Sequence, residues 1–158
     1  MQHYSKYIVL LQVTFPDFFL DLFIISWPVG LDTVKAKDLW NVMEMLVDQD
    51  RAYSLGVSDI ETQAFIELHS FARVKPEAIQ INLESCCVVP PELVTFTREN
   101  NIQLLTHNDP QNIMPSETLK SIMSSVLEVH WTVRYQTLLR CRGIIQNKGY
   151  VINAEMAN

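Results

Sequence analysis

Four short apolar runs alternate with amphipathic segments between about residues 20 and 127. Each run has the length of a buried strand, and each following segment places apolar residues three or four positions apart, as on a helix with one buried face. The pattern predicts four strands, at Leu20–Pro28, Ala52–Val57, Ala78–Leu83 and Ile102–Thr106. Strands that alternate with helices in this way are typical of a parallel sheet with right-handed crossovers.

Polar residues and a proline mark the beginnings of the predicted helices. Asp32 or Thr33 can cap the first helix, and Pro91 suits the first turn of the third. Ser58 and Glu61 have the spacing of a capping box, which predicts Ser58 as the N-cap of the second helix. The fourth helix is predicted to continue to residue 127.

The pattern changes near the C-terminal end of the chain. Apolar and polar residues alternate from Val133 to Cys141, which favours a half-exposed strand. A turn at Asn147–Gly149 and a returning strand at Tyr150–Ala154 then complete a predicted β-hairpin over residues 132–154.

Length and composition indicate one ordinary domain. The chain has 158 residues, of which 48% are hydrophobic, and this is enough for one domain with a core. It is too short for a closed eight-stranded β/α barrel, which usually needs about 250 residues. No low-complexity tract or linker divides the sequence. We therefore predict a single domain over residues 1–158, with a divergent segment at 1–19, strand–helix units at 20–128 and the hairpin at 132–154.

The net charge of −6 argues against a nucleic acid or an anionic membrane as the partner. The apolar run at residues 18–29 is interrupted by Asp21 and is shorter than the roughly 20 residues of a membrane span. The three cysteines form no C-x-x-C pair, and this usage favours a reducing compartment, which we expect to be the cytoplasm.

Several strand ends contain motifs of a known superfamily. Asp21–Pro28 resembles the D-L-x-x-I-H-W-P strand of aldo-keto reductases, with Ser26 in the histidine position. Leu55–Asp59 and Gln80–Leu83 resemble the I-G-V-S-N and N-Q-x-x-x strands of the same enzymes. Active sites of parallel β/α barrels lie at the carboxyl ends of the strands, so any site is expected there.

One branch of this superfamily matches better. The S-C-C-x-x-P-P sequence at Ser85–Pro91 and the Q-L-L-T-H-N-D-P sequence at Gln103–Pro110 resemble the regulatory (modifier) subunit of glutamate–cysteine ligase, as do Val74–Pro76 and the tail Arg142–Tyr150. The match covers about Asp21–Ala154. This resemblance implies a partial (β/α)8 TIM barrel of aldo-keto reductase type, with about four β/α units and a C-terminal β-hairpin.

The regulatory-subunit family is non-catalytic. The resemblance implies a cytoplasmic protein that binds the catalytic subunit of the ligase as a heterodimer, improves its use of glutamate and eases feedback inhibition by glutathione. Ser26 stands where reductases orient the substrate carbonyl with histidine, and their catalytic tyrosine, lysine and aspartate have no match. We therefore expect no catalytic residue and no cofactor. An NADPH-dependent oxidoreductase of the aldo-keto reductase type and a truncated inactive fragment are the alternatives.

Three residues align with the positions that hold the nicotinamide amide in reductases, namely Ser58, Asp59 and Gln80. The resemblance assigns them a vestigial cofactor-binding role, because Asp59 replaces a neutral amide with a carboxylate that only accepts hydrogen bonds when ionised. The capping box offers a purely structural role for Ser58.

Seven residues in the loops and the tail are candidates for contact with a partner protein: Cys86, Cys87, His107, Asn108, Asp109, Arg140 and Arg142. Structural roles are the alternative. Adjacent cysteines at a strand end can be small packing residues, and the tail arginines can lie on a solvated strand face. The loop after the fourth strand lacks the separated ligand pairs of a zinc site, so no metal is expected. In the functional interpretation, the basic tail docks on an acidic patch of the partner.

Overall fold

The computed structural model of the chain describes residues 19–27, 30, 32–83, 88–110, 113–123, 127–139 and 144–156. Its helices and strands in chain order are β1 (Leu20–Ser26), α1 (Thr33–Asp48), β2 (Ala52–Ser58), α2 (Thr62–Phe71), β3 (Ala78–Asn82), α3 (Pro91–Glu99), β4 (Gln103–His107), α4 (Ser116–Met123), β5 (Leu127–Leu139) and β6 (Ile144–Met156). The chain divides into two compact units, Met1–Asn108 and Asp109–Asn158, which we call the sheet unit and the ribbon unit. A single domain stays a prediction.

The sheet unit contains a four-stranded parallel sheet in the order β1-β2-β3-β4. Each of the first three strands is followed by a helix. Strands that follow one another in the chain are neighbours in the sheet, as expected for right-handed β–α–β crossovers. This architecture confirms the predicted alternation of parallel strands and helices. Among the described residues, no helix is long and apolar enough to cross a membrane.

The core of the sheet unit lies between the sheet and its helices. Leu55 and Val57 of β2 are fully buried, as is Ile79 of β3. They pack in one apolar cluster with Trp40 of α1 and Phe65 of α2. The spacing of apolar residues along the two helices places Trp40 and Phe65 on the buried faces. This regular spacing is the reason why the sequence predicted both helices.

Gly56 allows β2 to approach its neighbours closely. A Cβ at Gly56 would lie 2.9 Å from the carbonyl oxygen of Ala78 and 3.2 Å from Cγ1 of Ile24. A backbone oxygen in a sheet cannot move aside as a flexible side chain can, so a larger residue here would force the strands apart.

Helix α1 holds the segment that leads into β3. Trp40 donates a hydrogen bond from Nε1 to the carbonyl oxygen of Val74 at 3.0 Å. Oε1 of Glu44 accepts hydrogen bonds from the backbone N–H groups of Arg73 at 2.8 Å and of Val74 at 3.0 Å. Trp40 and Glu44 are four residues apart and therefore lie on the same face of the helix. Both are buried, so the helix satisfies the polar backbone of a segment it also covers.

Two predicted helix starts are confirmed. Asp32 is the N-cap of α1 and accepts a hydrogen bond from the backbone N–H of Lys35 at 2.9 Å. This bond, together with the Lys35 ammonium group, lowers the pKa of the Asp32 carboxyl below its ordinary value. Pro91 is the first residue of α3, where its missing N–H removes no helical hydrogen bond.

The predicted capping box is wrong. Helix α2 begins at Thr62, and its N-cap is Glu61, which makes no side-chain capping hydrogen bond. Ser58 is instead the last residue of β2. Asp59 follows it with a φ of 61°, so the chain turns immediately after the strand, and the helix starts too late for Ser58 to reach its first N–H groups.

The ribbon unit contains α4 and an antiparallel pair formed by β5 and β6. The predicted C-terminal hairpin is confirmed, but its strands extend beyond the predicted residues 132–154. The predicted end of the fourth helix at residue 127 is wrong, because Leu127 is the first residue of β5. The predicted turn is wrong. The strands are joined by residues 140–143, and Asn147–Gly149 lies inside β6.

Tyr135 explains why the backbone of Asn147–Gly149 forms part of a strand and not a turn. It pairs directly with Gly149 across the ribbon. A Cβ at Gly149 would lie 2.7 Å from atoms of the Tyr135 ring, so the ring packs over the glycine. An aromatic side chain that covers a strand glycine in this way stabilises the extended pairing, and this contact was not visible in the local sequence.

Candidate functional site at the strand ends

Polar side chains of neighbouring strands meet at the carboxyl edge of the parallel sheet. Ser26 pairs with Ser58, and Ser58 pairs with Gln80, which places the three residues side by side on β1, β2 and β3. Asn82 of β3 lies two residues beyond Gln80 and pairs with His107 of β4. Side chains two residues apart on a strand share a face, so Gln80 and Asn82 point to the same side of the sheet.

Asp59, directly after β2, lies at the centre of this group. Its Oδ1 accepts a hydrogen bond from the backbone N–H of Asn82 at 3.1 Å and lies 3.0 Å from Nε2 of His107. Its Oδ2 accepts a hydrogen bond from Oγ of Ser58 at 3.0 Å. One carboxylate thus connects the ends of β2, β3 and β4.

The backbone holds Asp59 in place. Its φ of 61° lies in the left-handed region, which aspartate tolerates better than most residues. Its N–H donates to the carbonyl oxygen of Gln80 at 3.0 Å, and the N–H of Trp27 donates to the carbonyl oxygen of Ser58 at 2.8 Å. The Asp59 side chain is 35% exposed, whereas that of His107 is only 10% exposed.

Ser58, His107 and Asp59 do not have the geometry of a hydrolytic triad. In a triad, the histidine contacts the serine with one ring nitrogen and the carboxylate with the other. Here Nε2 of His107 approaches both Oγ of Ser58 at 3.3 Å and Oδ1 of Asp59 at 3.0 Å. A protonated Nε2 donates to Asp59, while Ser58 donates to the other oxygen of the same carboxylate. The arrangement orients the carboxylate and does not activate the serine hydroxyl.

The structure brings together residues that the sequence placed in separate groups. Ser58 and Asp59 were expected to belong to a vestigial cofactor site, and His107 was expected to contact a partner. Each of them ends or follows a parallel strand, and this shared position was the signal that could have joined them. A cofactor-binding role for Ser58, Asp59 and the half-buried Gln80 stays a prediction.

Four of the seven candidates for partner contact lie outside the described residues: Cys86, Cys87, Arg140 and Arg142. Asn108 is exposed directly after β4. Asp109 accepts a hydrogen bond from the guanidinium of Arg134 in the ribbon unit, a contact that the sequence did not reveal. Partner contact by all seven stays a prediction. Within the described ranges, no three His, Cys, Asp or Glu side chains could hold a metal ion together.

Solved structures of aldo-keto reductases have a similar fold. An aldo/keto reductase from Brucella melitensis matches with a TM-score of 0.55 and 24% identity, over 77% of this chain and 46% of that chain. The aldose reductase from Schistosoma japonicum matches with a TM-score of 0.55 and 21% identity, over 79% of this chain and 48% of that chain. The chain therefore has the fold of a partial aldo-keto reductase barrel with a C-terminal hairpin, as predicted.

The curated relatives that are 34% identical to this chain carry the name of one branch. The glutamate–cysteine ligase regulatory subunit of Homo sapiens is 34% identical over 149 residues, which cover 86% of this chain and 54% of the relative. The protein of the same name from Mus musculus is 34% identical over 135 residues, which cover 80% of this chain and 49% of the relative. The chain spans about half the length of these relatives, and no family model matches it. The relatives confirm the predicted resemblance to the regulatory subunits.

Proposed function

We propose that this chain is a non-catalytic regulatory subunit that binds and activates the catalytic subunit of a glutamate–cysteine ligase. The observation that carries the proposal is the similarity to curated regulatory subunits over 86% of the chain. The protein then acts in glutathione biosynthesis, in the cytoplasm, as one member of a heterodimer. It improves the use of glutamate by the catalytic subunit and weakens inhibition by glutathione.

The geometry of the strand ends supports a non-catalytic role. The carboxylate of Asp59 contacts Ser58, the backbone N–H of Asn82 and the ring of His107. A general acid or base must reach the proton that it transfers, and here these polar atoms are directed at one another. Ser26, exposed at the end of β1, carries a hydroxyl group, which does not titrate near neutral pH.

Co-expression with a tagged catalytic subunit from the same organism tests the binding. We expect the two chains to co-purify, and light scattering after size-exclusion chromatography to give the mass of a one-to-one complex. An unrelated tagged enzyme serves as the control for non-specific retention. Elution of the two chains as separate species at all protein concentrations would contradict the proposal.

Steady-state kinetics test the activation. Adding the chain to the purified catalytic subunit should lower the KM for glutamate and raise the glutathione concentration needed for half-inhibition. A heat-denatured sample of the same chain is the matched control, because it has the same composition without the fold. Identical glutamate and glutathione responses with and without the folded chain would exclude activation.

The fold of the structural neighbours favours one alternative, a carbonyl reductase that uses NADPH. Titration of the intrinsic fluorescence with NADPH, followed by a turnover assay with small aldehydes, separates it from the regulatory role. We expect neither saturable quenching nor turnover. Saturable quenching together with aldehyde reduction would replace the regulatory proposal by the enzymatic one.

A further inference from the structure

The two outer strands of the parallel sheet have the composition of inner strands. β1 and β4 are its first and last strands, and each has one strand neighbour among the described residues. Leu22–Ile25 of β1 are four consecutive apolar residues, which is the pattern of a strand buried on both faces. Outer strands are commonly protected from further pairing by lysine or proline, but neither residue type occurs in β1 or β4. Both strands therefore have a sequence that permits a further strand beside them.

The outer strands also carry apolar side chains on the face of the sheet that is opposite the helices. Helices α1, α2 and α3 contribute to one apolar cluster, against which Phe23 of β1 and Leu104 of β4 pack. Because side chains alternate along a strand, Leu22 and Leu105 lie on the other face. Both are only half-buried. Apolar surface therefore remains on this face at both outer strands.

The sheet unit has half the number of strands of a closed barrel. A β/α barrel contains eight parallel strands, and its helices form an outer ring. The sheet unit has four parallel strands in chain order, and the helices that connect them pack in a single cluster with one face of the sheet. Two copies of this unit therefore supply the strands of one barrel, with the helices of both copies on the outside.

The stagger of the strands agrees with this count. One row of paired residues crosses all four strands and contains Ile24, Gly56, Ala78 and Gln103. If Gln103 lies beside Leu20 of a second copy, all five residues of β4 gain a partner on that β1, and the row shifts by the four residues between Leu20 and Ile24. Over two copies the shift doubles to about eight residues, which is the shear of a β/α barrel. Without the shift, Gln103 would lie beside Ile24, and only three residues of β1 would remain to pair with β4.

We propose that, in the absence of the catalytic subunit, two copies of this chain form a dimer in which β4 of each copy pairs in parallel with β1 of the other and closes an eight-stranded barrel. A two-fold axis makes the two β4–β1 junctions identical, and a closed barrel has no strand edge. In the register described above, Leu105 of one copy lies directly beside Leu22 of the other. Each junction therefore buries apolar surface that a single sheet unit leaves half-exposed. The inference goes beyond the proposed function and concerns the chain by itself.

The mass and the hydrogen exchange of the full wild-type chain test the dimer first. Light scattering after size-exclusion chromatography should give twice the mass of one chain, and dilution should release single chains. Amide hydrogens of β1 and β4 should exchange more slowly in the dimer than in the diluted chain, because each strand gains a neighbour. Those of β2, which has a strand on both sides in one chain, should change less. A chain that stays monomeric at all concentrations would overturn the proposal.

Opposite charges at the junction test which strands pair. Leu22→Lys and Leu105→Glu each place an unpaired charge against an apolar residue in both junctions of the variant dimer, so we expect each to raise the dissociation constant about tenfold or more. An equimolar mixture of the two variants can form a dimer with one unchanged junction and one in which the lysine lies beside the glutamate. The mixture should therefore dimerise more tightly than either variant alone. Met45→Lys, at an exposed position on α1, is the control for an added charge and should match the wild type.

The other outcomes overturn the proposal. A mixture of folded variants that dimerises no better than either variant alone would exclude the β4–β1 junction. A loss for Leu22→Lys without one for Leu105→Glu would indicate that β1 pairs with β1 of the second copy, and an equal loss for Met45→Lys would exclude a specific role of the strands. If either variant does not fold, the hydrogen exchange of the wild-type chain decides.

One outcome separates this proposal from the regulatory role. The wild-type chain could be monomeric by itself and bind the catalytic subunit, with Leu22→Lys and Leu105→Glu abolishing that binding while Met45→Lys does not. That result would assign the outer strands to the catalytic subunit, so the dimer would be excluded and the regulatory role would stand. A wild-type dimer that does not bind the catalytic subunit would have the opposite meaning, because the regulatory role would then fail and the dimer would stand.

Discussion

The sheet unit and the ribbon unit use tryptophan in different ways. In the sheet unit, Trp40 is fully buried and donates its indole N–H to Val74 at 3.0 Å. In the ribbon unit, Nε1 of Trp131 is buried but has no hydrogen-bond partner among the described residues. An unsatisfied buried donor costs free energy that a satisfied one does not. The indole N–H of Trp40 is therefore satisfied in the sheet unit, whereas that of Trp131 is not satisfied among the described residues.

The same contrast holds for apolar packing. Among the residues that the structure describes, eighteen hydrophobic residues are buried; sixteen of them lie in the sheet unit, and none belongs to β5 or β6. A two-stranded ribbon is only marginally stable in water by itself. The sheet unit therefore has an apolar core of its own, whereas the described part of the two ribbon strands contributes no buried apolar residue. Four paired measurements test this difference.

The largest difference is expected between substitutions of Trp40 and Trp131. Trp40→Phe leaves the carbonyl of Val74 without its donor and opens a gap in the core, so we expect a loss of about 2–4 kcal/mol in the free energy of unfolding. Trp131→Phe removes an unsatisfied donor along with part of a ring, so we expect a change of less than about 1 kcal/mol. Urea unfolding followed by circular dichroism measures both.

Hydrogen exchange assigns each loss to its unit. Trp40→Phe should speed exchange in the strands of the sheet unit, and Trp131→Phe should leave their exchange unchanged. Equal destabilisation by the two substitutions would show that the ribbon depends on its indole N–H as the sheet unit does, and the contrast between the units would be lost.

The two glycines should differ by a smaller amount. Gly56→Ala places a methyl group against the backbone oxygen of Ala78, and overpacking of this kind costs about 1–3 kcal/mol. Gly149→Ala meets only the ring of Tyr135, which is partly exposed and can rotate away, so we expect a loss below about 1 kcal/mol. Thermal unfolding of both variants gives the comparison, and a larger loss for Gly149→Ala would show that the ribbon is the more tightly packed unit.

The sequence predicted the sheet unit better than the ribbon because their stabilising contacts differ in range. The helix faces of α1 and α2 repeat with the helical period, and Trp40, Met43 and Phe65 are buried as that period requires. The path of β6 depends instead on Tyr135 covering Gly149 from the opposite strand. No local pattern contains such a pair, so the Asn147–Gly149 segment resembled a turn.

The sequence predicted that the candidate site lies at the strand ends, but not which residues contact one another there. The strand ends and the residues Ser58 and Asp59 followed from the motifs, because those residues are adjacent in the chain. The contact between Asp59 and His107 joins β2 to β4 across β3 and depends on the left-handed turn at Asp59. The same turn follows β2 where the sequence predicted a capping box for α2. The wrong start predicted for α2 and the missed contact between Asp59 and His107 therefore have the same physical cause.

Two carboxylates extend the comparison to charged groups. Glu44 is buried and accepts two backbone N–H groups, and its Oε2 pairs with the guanidinium of Arg73. Glu44→Gln keeps one acceptor oxygen but loses the charge, so we expect a loss of about 1–2 kcal/mol. Asp109→Asn weakens a pair with Arg134 that water partly reaches, so we expect less than about 1 kcal/mol. Urea unfolding at low and high salt measures both.

Salt separates the two pairs further. Added salt screens exposed charges more than buried ones, so the effect of Asp109→Asn should shrink at high salt and that of Glu44→Gln should persist. If high salt removed the effect of Glu44→Gln as well, its carboxylate would act as a surface charge, and the sheet unit would lack the closed interior on which the comparison depends.

The smallest effect is a pH dependence within the sheet unit. Burial lowers the pKa of His69 below its ordinary value of 6.5, and the ammonium group of Lys75 lowers it further. The imidazole packs edge-on against Phe96, with 5.3 Å between the ring centroids. Since the pKa is lower in the folded state, the unfolded state binds the proton more tightly. The contribution of His69 to stability is therefore complete above about pH 6.5 and is lost as the pH falls through the folded pKa.

His69→Gln removes this titration while it keeps a polar side chain of similar reach. We expect the free energy of unfolding of the variant to fall less steeply than that of the wild type as the pH is lowered from about 7 to 5. Urea unfolding at several pH values measures the slopes, and His130→Gln in the ribbon is the matched control for the loss of one histidine. Because His130 lies outside the sheet unit, its substitution should leave the pH dependence of hydrogen exchange in β2 and β3 unchanged. Equal slopes for the wild type and His69→Gln would mean that the partly buried ring titrates as in water, and that the core near Phe96 is open to solvent.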